Sequence, residues 1–427
     1  IVNATKELLE LFKEPSTIIF LFTLLNNQEF GLRQYAAVFL KKCIKNCWDD
    51  LDVNSKEDIK QHILNSLSTE TNLLVAKNTI QSCKKVFKSD AKNWPGLFTF
   101  ISNYNQIPLG LPITLYLIYF SAKYLGTDII EANFNVFGEI ANQGINSQDI
   151  EAFVLTCEMF GALISFISLS KISLYESQET FLIQAFINYL LNSDDNVLIE
   201  RIGLALADTF LGEALPIPAV SILQQLLQLI QNPEFPKQKY VDVFNSITFL
   251  IKGHAVELID EAATILKAAI FCGAAVFDPQ AEDSIYDVNM ISNTAGDLAG
   301  ELKMPRFIKL VQSLTPDLSN DALYISYAHV LYHSIDECIE EVLNDFKSIV
   351  NIAIQFLNSS ILQVKEVGAL ISDIIADYLE PSQLDVGVIL LQNLIPFIVS
   401  GIPSITDSAF TAITSILAQG LIRNDLI

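Results

Sequence analysis

Three seven-residue stretches, IGLALAD (Ile202–Asp208), ISNTAGD (Ile291–Asp297) and VGALISD (Val367–Asp373), share one pattern: a branched aliphatic residue, a small residue beside it, a second small residue four positions later, and then Asp. They lie 89 and 76 residues apart, about two units of roughly forty residues each, which is the period of helix-pair repeats. Small residues at matching helix positions let neighbouring helices approach closely, and the Asp emerges on a polar face. The pattern predicts an all-α fold, a HEAT-repeat α-solenoid wound as a right-handed superhelix of about ten helix pairs.

The rest of the chain agrees with that reading. Neither Asn-Gly nor Asp-Gly occurs, and strict apolar/polar alternation is absent, so hairpins have little support. Pro15, Pro95, Pro218, Pro236 and Pro305 stand at or just before apolar-periodic runs, and Pro381 follows one. First helices are expected to start near Pro15, Lys56, Trp94, Ile129, Ser177, Pro218, Val256, Pro305, Asn344 and Val388. One helix pair cannot bury its apolar face alone; stacking buries it, and leaves a convex wall of first helices and a concave wall of second helices. Polar stripes on second helices are then the places where large partners sit.

Size and charge narrow the function. A chain of 427 residues exceeds one helical core, and with only 17 Gly and 14 Pro it contains no linker-like block. Val386 to Thr406 and Trp94 to Ala122 carry no charge. Pro and Gly interrupt both, and no basic cluster flanks the first, so buried helix pairs are expected in place of membrane insertion. The net charge is −23, unevenly placed: residues 1–92 hold 13 Lys+Arg against 11 Asp+Glu, and 93–427 hold 13 against 38. The two regions should face different partners. An acidic body repels phosphates and steers basic proteins toward itself, which argues against direct nucleic-acid binding.

Six cysteines sit singly at helix-like positions, as reduced buried thiols of a cytosolic or nuclear protein would. His329 and His333 are four apart near Asp336, but the glutamate of an H-E-x-x-H motif is absent, and packing is the expected role. No nucleophile, phosphate-loop or dinucleotide motif occurs, so no enzyme, cofactor or metal is expected.

Two surfaces remain. On the helix from Leu362, Glu366, Asp373, Asp377 and Glu380 fall on one face; Glu200 with Asp208, and Asp297 with Glu301, repeat part of it. A solvated face is the default for one such helix. Recurrence on several second helices predicts an acidic concave groove for basic cargo, held by many weak, salt-sensitive pairs. Near the N-terminus, Arg33, Ala37, Lys41 and Lys45 recur every four residues, opposite Leu32, Ala36, Phe39, Leu40, Cys43, Ile44 and Cys47.

That N-terminal stretch, QEFGLRQYAAVFLKKCIKNCWDDL (28–51), resembles the N-terminal signature of the importin-beta family of nuclear transport receptors. The likeness begins at ATKELLELFKEP (4–15), continues through the helix around Asp58 to Leu67, and extends to KEVGALISDIIADYLEP (365–381), which looks like a middle repeat of the importin four branch that carries ribosomal proteins and histones. The resemblance implies a monomeric receptor shuttling between cytoplasm and nucleus. It implies Ran GTPase in its GTP form bound by Arg33, Lys41 and Lys45 within N-terminal HEAT repeats at 1–92. It also implies basic cargo on the acidic concave face of 93–427 (Glu200, Asp208, Asp297, Glu301, Glu366, Asp373, Asp377) and Phe-Gly nucleoporins between outer helices. An exportin, or a HEAT scaffold without a transport role, is the alternative.

Overall fold

Several helices begin where an Asp or Asn side chain accepts a first-turn N–H or a proline opens the first turn. The computed structural model describes residues 10–167, 175–212, 214–281, 283–303, 306–380, 383–399 and 402–418. Two compact units divide it, Ile1–Ile217 and Pro218–Ile427. In the first, α1 (Pro15–Leu25) pairs with α2 (Phe30–Cys47), and α3 (Val53–Thr69) with α4 (Leu73–Ser82) and its continuation α5 (Lys84–Asp90). Next come α6 (Pro95–Ser102) with α7 (Gly110–Leu125), then α8 (Thr127–Ala132) and α9 (Phe134–Ile145) with α10 (Ile150–Ile164), and α11 (Glu176–Asn192) with α12 (Asn196–Phe210).

The second unit repeats the scheme. It holds α13 (Ala219–Gln231) with α14 (Tyr240–His254), α15 (Ala262–Val276) with α16 (Ser284–Leu302), and α17 (Phe307–Ser313) with α18 (Asp321–Glu337). The last pairs are α19 (Ile339–Asn344) and α20 (Phe346–Leu357) with α21 (Leu362–Asp377), and α22 (Leu384–Ile398) with α23 (Pro403–Ala418). The described residues contain no strand. The fold is the expected HEAT-type helix-pair array, with ten pairs among the described residues. The charge boundary at 92/93 falls inside the first unit, between its second and third pairs.

Helix starts follow local chemistry. Second helices α4, α10, α12 and α18 open on the side chains of Asn72, Asp149, Asp195 and Asn320, each accepting a first-turn N–H. Pro15 and Pro95 occupy the first turns of α1 and α6, where no N–H is missed. Pro305 and Pro381 lie outside the described residues, as do 4–9. Several expected starts shift: α3 opens at Val53, ahead of Lys56, and α15 at Ala262, because Val256 falls in a 3-10 segment over Ala255–Glu261; Asn344 ends the short α19 instead of opening a helix, because that first helix is built in two pieces, and α22 begins at Leu384, ahead of Val388. The uncharged stretch around Val386 is shared between α22 and α23, and no helix among the described residues is long and apolar enough to cross a membrane.

The repeated heptads explain the packing. Ile202, Leu206 and Phe210 on α12, and Val367, Ile371 and Ile375 on α21, are fully buried at three- to four-residue spacing. The first small residue faces the partner helix of its own pair. A Cβ at Gly203 would stand 3.3 Å from the Phe186 ring on α11, and one at Gly368 would stand 2.7 Å from the Leu357 nitrogen on α20. The second small residue looks to the next second helix, since a Cβ at Gly296 of α16 would lie 3.2 Å from the His333 carbonyl oxygen on α18. Second helices therefore stack on one another directly: α2 on α4, α7 on α10 and α10 on α12 in the first unit, and α14, α16, α18, α21 and α23 in succession in the second. First helices meet their counterparts far less.

The tightest crossing between two second helices centres on a glycine outside the heptads. Gly161 of α10 lies so close to Ala205 of α12 that a Cβ there would overlap the Ala205 carbonyl, with its carbon at 2.8 Å. Backbone cannot yield as a ring edge can. Gly161→Ala should therefore cost about 2–3 kcal/mol of stability, and Gly203→Ala, against a ring at 3.3 Å, under about 1 kcal/mol. Urea unfolding of both variants checks the order; equal losses would contradict it.

Candidate functional site

Stacking lines the second helices side by side, so polar groups at matching positions become neighbours across helices. In the second unit this row is continuous. Lys252 on α14 is bonded to Asp297 on α16 at 2.9 Å, and the Thr248 and Thr294 hydroxyls meet at 3.0 Å. His333 Nε2 on α18 is 2.9 Å from Asn289 Oδ1 on α16, and the Ser415 hydroxyl of α23 donates to Asp373 on α21 at 2.7 Å. Tyr332 on α18 has its pKa raised by burial first and then by the negative charges of Asp336 and Asp373. The expected stripe on α16 and α21 thus passes through α18. Sequence reasoning met Asp336 only as a neighbour of two histidines; the spacing that identified the row on other helices was absent there.

The expected cargo residues differ in their freedom. Asp297 is tied to Lys252 and Asn293, and Asp373 to Ser415. Glu366 is half-buried, and Glu301 and Asp377 are exposed. Glu380 falls beyond the end of α21, so it does not extend the helical face. Glu200 and Asp208 belong to α12 of the first unit and are exposed. Among the described residues, Glu200, Asp208, Glu301 and Asp377 form no ion pair.

The first unit carries a charge network that the sequence reading missed. Arg201 on α12 donates through Nη1 to Glu151 and through Nε to Glu158, both on α10 and both at 2.7 Å; Lys77 on α4 also pairs with Glu151. Burial opposes the charge on Arg201, but the Glu158 and Glu151 hydrogen bonds outweigh it and raise its pKa. Burial likewise works against ionised Glu151, and Arg201 and Lys77 reverse this, lowering its pKa. These four residues bind three second helices together. No sequence spacing reveals a pair 74 residues apart, such as Lys77 with Glu151.

On α2 the four-residue stripe divides. Lys41 and Lys45 are exposed and form no ion pair among the described residues. Arg33 is turned inward: its guanidinium holds Glu70 through Nε at 3.1 Å and Nη2 at 3.2 Å, and Nη1 donates to the carbonyls of Asn27 and Gln28. Glu70 also accepts from the Thr71 and Asn72 N–H groups. Ala37, expected on the open stripe, is buried against α4, where Ser82 Oγ donates to its carbonyl; Leu32, expected inside, is exposed. Packing of α2 against α4 turned the buried face by part of a turn from the one its own composition suggests.

Other titratable groups serve the core. All six cysteines are free and buried, and burial pushes Cys43 up to about 12. Burial pushes His329 and His333 down to about 4, so both are neutral at physiological pH. No group of metal-ligating side chains gathers among the described residues.

Residues 4–69 match the family described as Importin-beta N-terminal domain. Comparison with curated protein sequences gives no match. The fold as a whole is similar to crystal structures of Kap121p: 12% identity and a TM-score of 0.66, covering 94% of this chain and 45% of that one. Kap121p bound to Pho4p gives 12% and 0.68, and Kap121p bound to RanGTP gives 10% and 0.66, each covering 94% of this chain and 41% of the other. The chain thus spans less than half the length of these structures, and at such identity the likeness establishes the fold alone.

Because Arg33 and Glu70 are a buried pair with 14% and 5% of their side chains exposed, removing the cation leaves a carboxylate enclosed. Arg33→Ala should destabilise the chain by about 3 kcal/mol, whereas Lys41→Ala should stay within about 0.5 kcal/mol. Thermal and urea unfolding measure both; an unaltered Arg33→Ala variant would contradict the structural role.

Proposed function

We propose that the chain is the N-terminal part of an importin-beta-type nuclear import receptor, shuttling between cytoplasm and nucleus. The observation that carries this is the importin-beta match at residues 4–69 in a chain whose two units are both built of helix pairs. Ran in its GTP form contacts the exposed Lys41 and Lys45 on α2, while Arg33, locked to Glu70, holds the start of that helix in place for them. Basic cargo lies along the second-helix walls. Glu301 and Asp377 offer unpaired carboxylates there, Glu366 adds to the same wall, and Asp297 and Asp373 sit in the row between them. Glu200 and Asp208 do the same in the first unit. A net charge of −23 supports attraction of basic segments, ribosomal proteins and histones among them. Phe-Gly nucleoporins bind the first-helix side. Similar structures of Kap121p with RanGTP, with Pho4p and with Nup53p support partners of these classes. The protein acts by binding alone, as a monomer.

The coupling is physical. A stack of helix pairs bends easily, and two ligands that favour different curvatures of it exclude one another without touching. Charge reversal at Lys41 and Lys45 (K41E/K45E) should weaken Ran·GTP binding at least about tenfold with helicity unchanged by circular dichroism. Calorimetry showing unchanged affinity would remove that contact. If Ran·GTP retains bound cargo instead of releasing it, the receptor is an exportin; if the full-length protein ignores Ran·GTP, it is a scaffold.

Replacing Asp373 and Asp377 by lysine (D373K/D377K) should weaken binding of a basic peptide, with a larger loss at 50 mM than at 300 mM salt, because exposed charges are screened over about 10 Å at 0.1 M. Fluorescence anisotropy across the salt series tests this. Equal losses at every concentration would contradict an electrostatic wall.

A further inference from the structure

On the wall of the first unit, a cavity of about 410 Å³ opens between α7, α10 and α12, bounded by Tyr116, Tyr119, Phe120, Lys123, Gln81 and Asp208 among others. Its chemistry is uneven. Three aromatic rings stand on α7, and Asp208 on α12 closes the far side. Asp208 makes no hydrogen bond or ion pair among the described residues. Partial burial raises its pKa, and the positive charge of Lys123 opposes that shift.

The same helix shows what such a carboxylate holds. Arg201 lies seven residues before Asp208, two turns back on one face of α12, and there the chain seats its own guanidinium between Glu151 and Glu158. Tyr119 feels both places, since Glu158 and Asp208 each raise its pKa after burial. One carboxylate position on this face is filled from within; the other is open. Lys123 does not fill it. Its ammonium sits over the rings of Phe120 at 5.6 Å and Tyr124 at 5.3 Å, and the side chain is exposed.

We propose that this cavity is a socket for a single arginine side chain from a basic partner segment. The guanidinium is planar, so it can lie on the Tyr119 or Phe120 face while its N–H fork meets Asp208. Gln81 supports the rim: its Nε2 donates to the Tyr116 hydroxyl at 2.6 Å, which fixes that ring and leaves the amide oxygen as an acceptor. Lys123 is the competitor, a like charge at the mouth that an entering arginine displaces into solvent. Arginine is favoured over lysine here, because an ammonium neither stacks as a plane nor forks onto a carboxylate. The inference rests on the basic-segment reading above and adds a chemical preference to it.

The test uses the full chain and two fluorescein-labelled peptides of equal charge, seven lysines around one central arginine and the same peptide with lysine at the centre. The wild type should bind the arginine peptide about fivefold more tightly. Asp208→Asn and Tyr119→Leu should each bring that ratio to about one, with helicity retained. Lys123→Ala should tighten the arginine peptide about two- to threefold, a gain that a destabilised fold cannot produce. Equal affinities in the wild type, or a preference that Asp208→Asn leaves untouched, overturn the socket and leave the basic-segment reading standing. Failure of both peptides to bind at low salt overturns both.

Discussion

Direct contact between successive second helices is the constraint on which the rest depends. At two of these crossings it requires a side chain no larger than a methyl, and the chain supplies Gly161 against Ala205, and Gly296 against the backbone of His333. Second helices meet one another more extensively than first helices do, and within each unit polar groups there are drawn into one row. A larger residue at either crossing would open that row and separate the charges on it.

Proximity then divides the charges into two kinds. Some are used up within the wall: Arg201 with Glu151 and Glu158, Lys252 with Asp297, Arg33 with Glu70. These tie helices together, and breaking one leaves a partner desolvated without compensation. Others, such as Lys41, Lys45, Asp208, Glu301 and Asp377, form no ion pair among the described residues, and a partner can use them without first dismantling the fold. The near-neutral region 1–92 and the acidic remainder therefore differ in which sign of charge they leave unspent.

Much of this was legible beforehand. The heptads at Ile202, Ile291 and Val367 identified three of the second helices, because helix contacts constrain residue size at a fixed period, and proline positions marked several of the pairs. The stretch 28–51 pointed to the importin-beta likeness that the match at 4–69 supports. The inward turn of Arg33 was not legible, since its partner Glu70 lies 37 residues away in the next pair. Nor was the bond from Lys252 to Asp297, or the place of α18 in the acidic row, because composition reports that a residue is polar and not what stands opposite it. The two-piece first helices escaped for a similar reason: periodicity continues through the short break at Asp345.

The central claim is that second helices, and not first helices, form the surface that receives basic segments. Photo-crosslinking reads it most directly, using a lysine-rich peptide with a benzophenone group, irradiated with the full chain at low salt and mapped by mass spectrometry. Adducts on α12, α16, α18 and α21 that vanish at high salt are the predicted result. Adducts concentrated on α11, α15, α20 or α22 would contradict it.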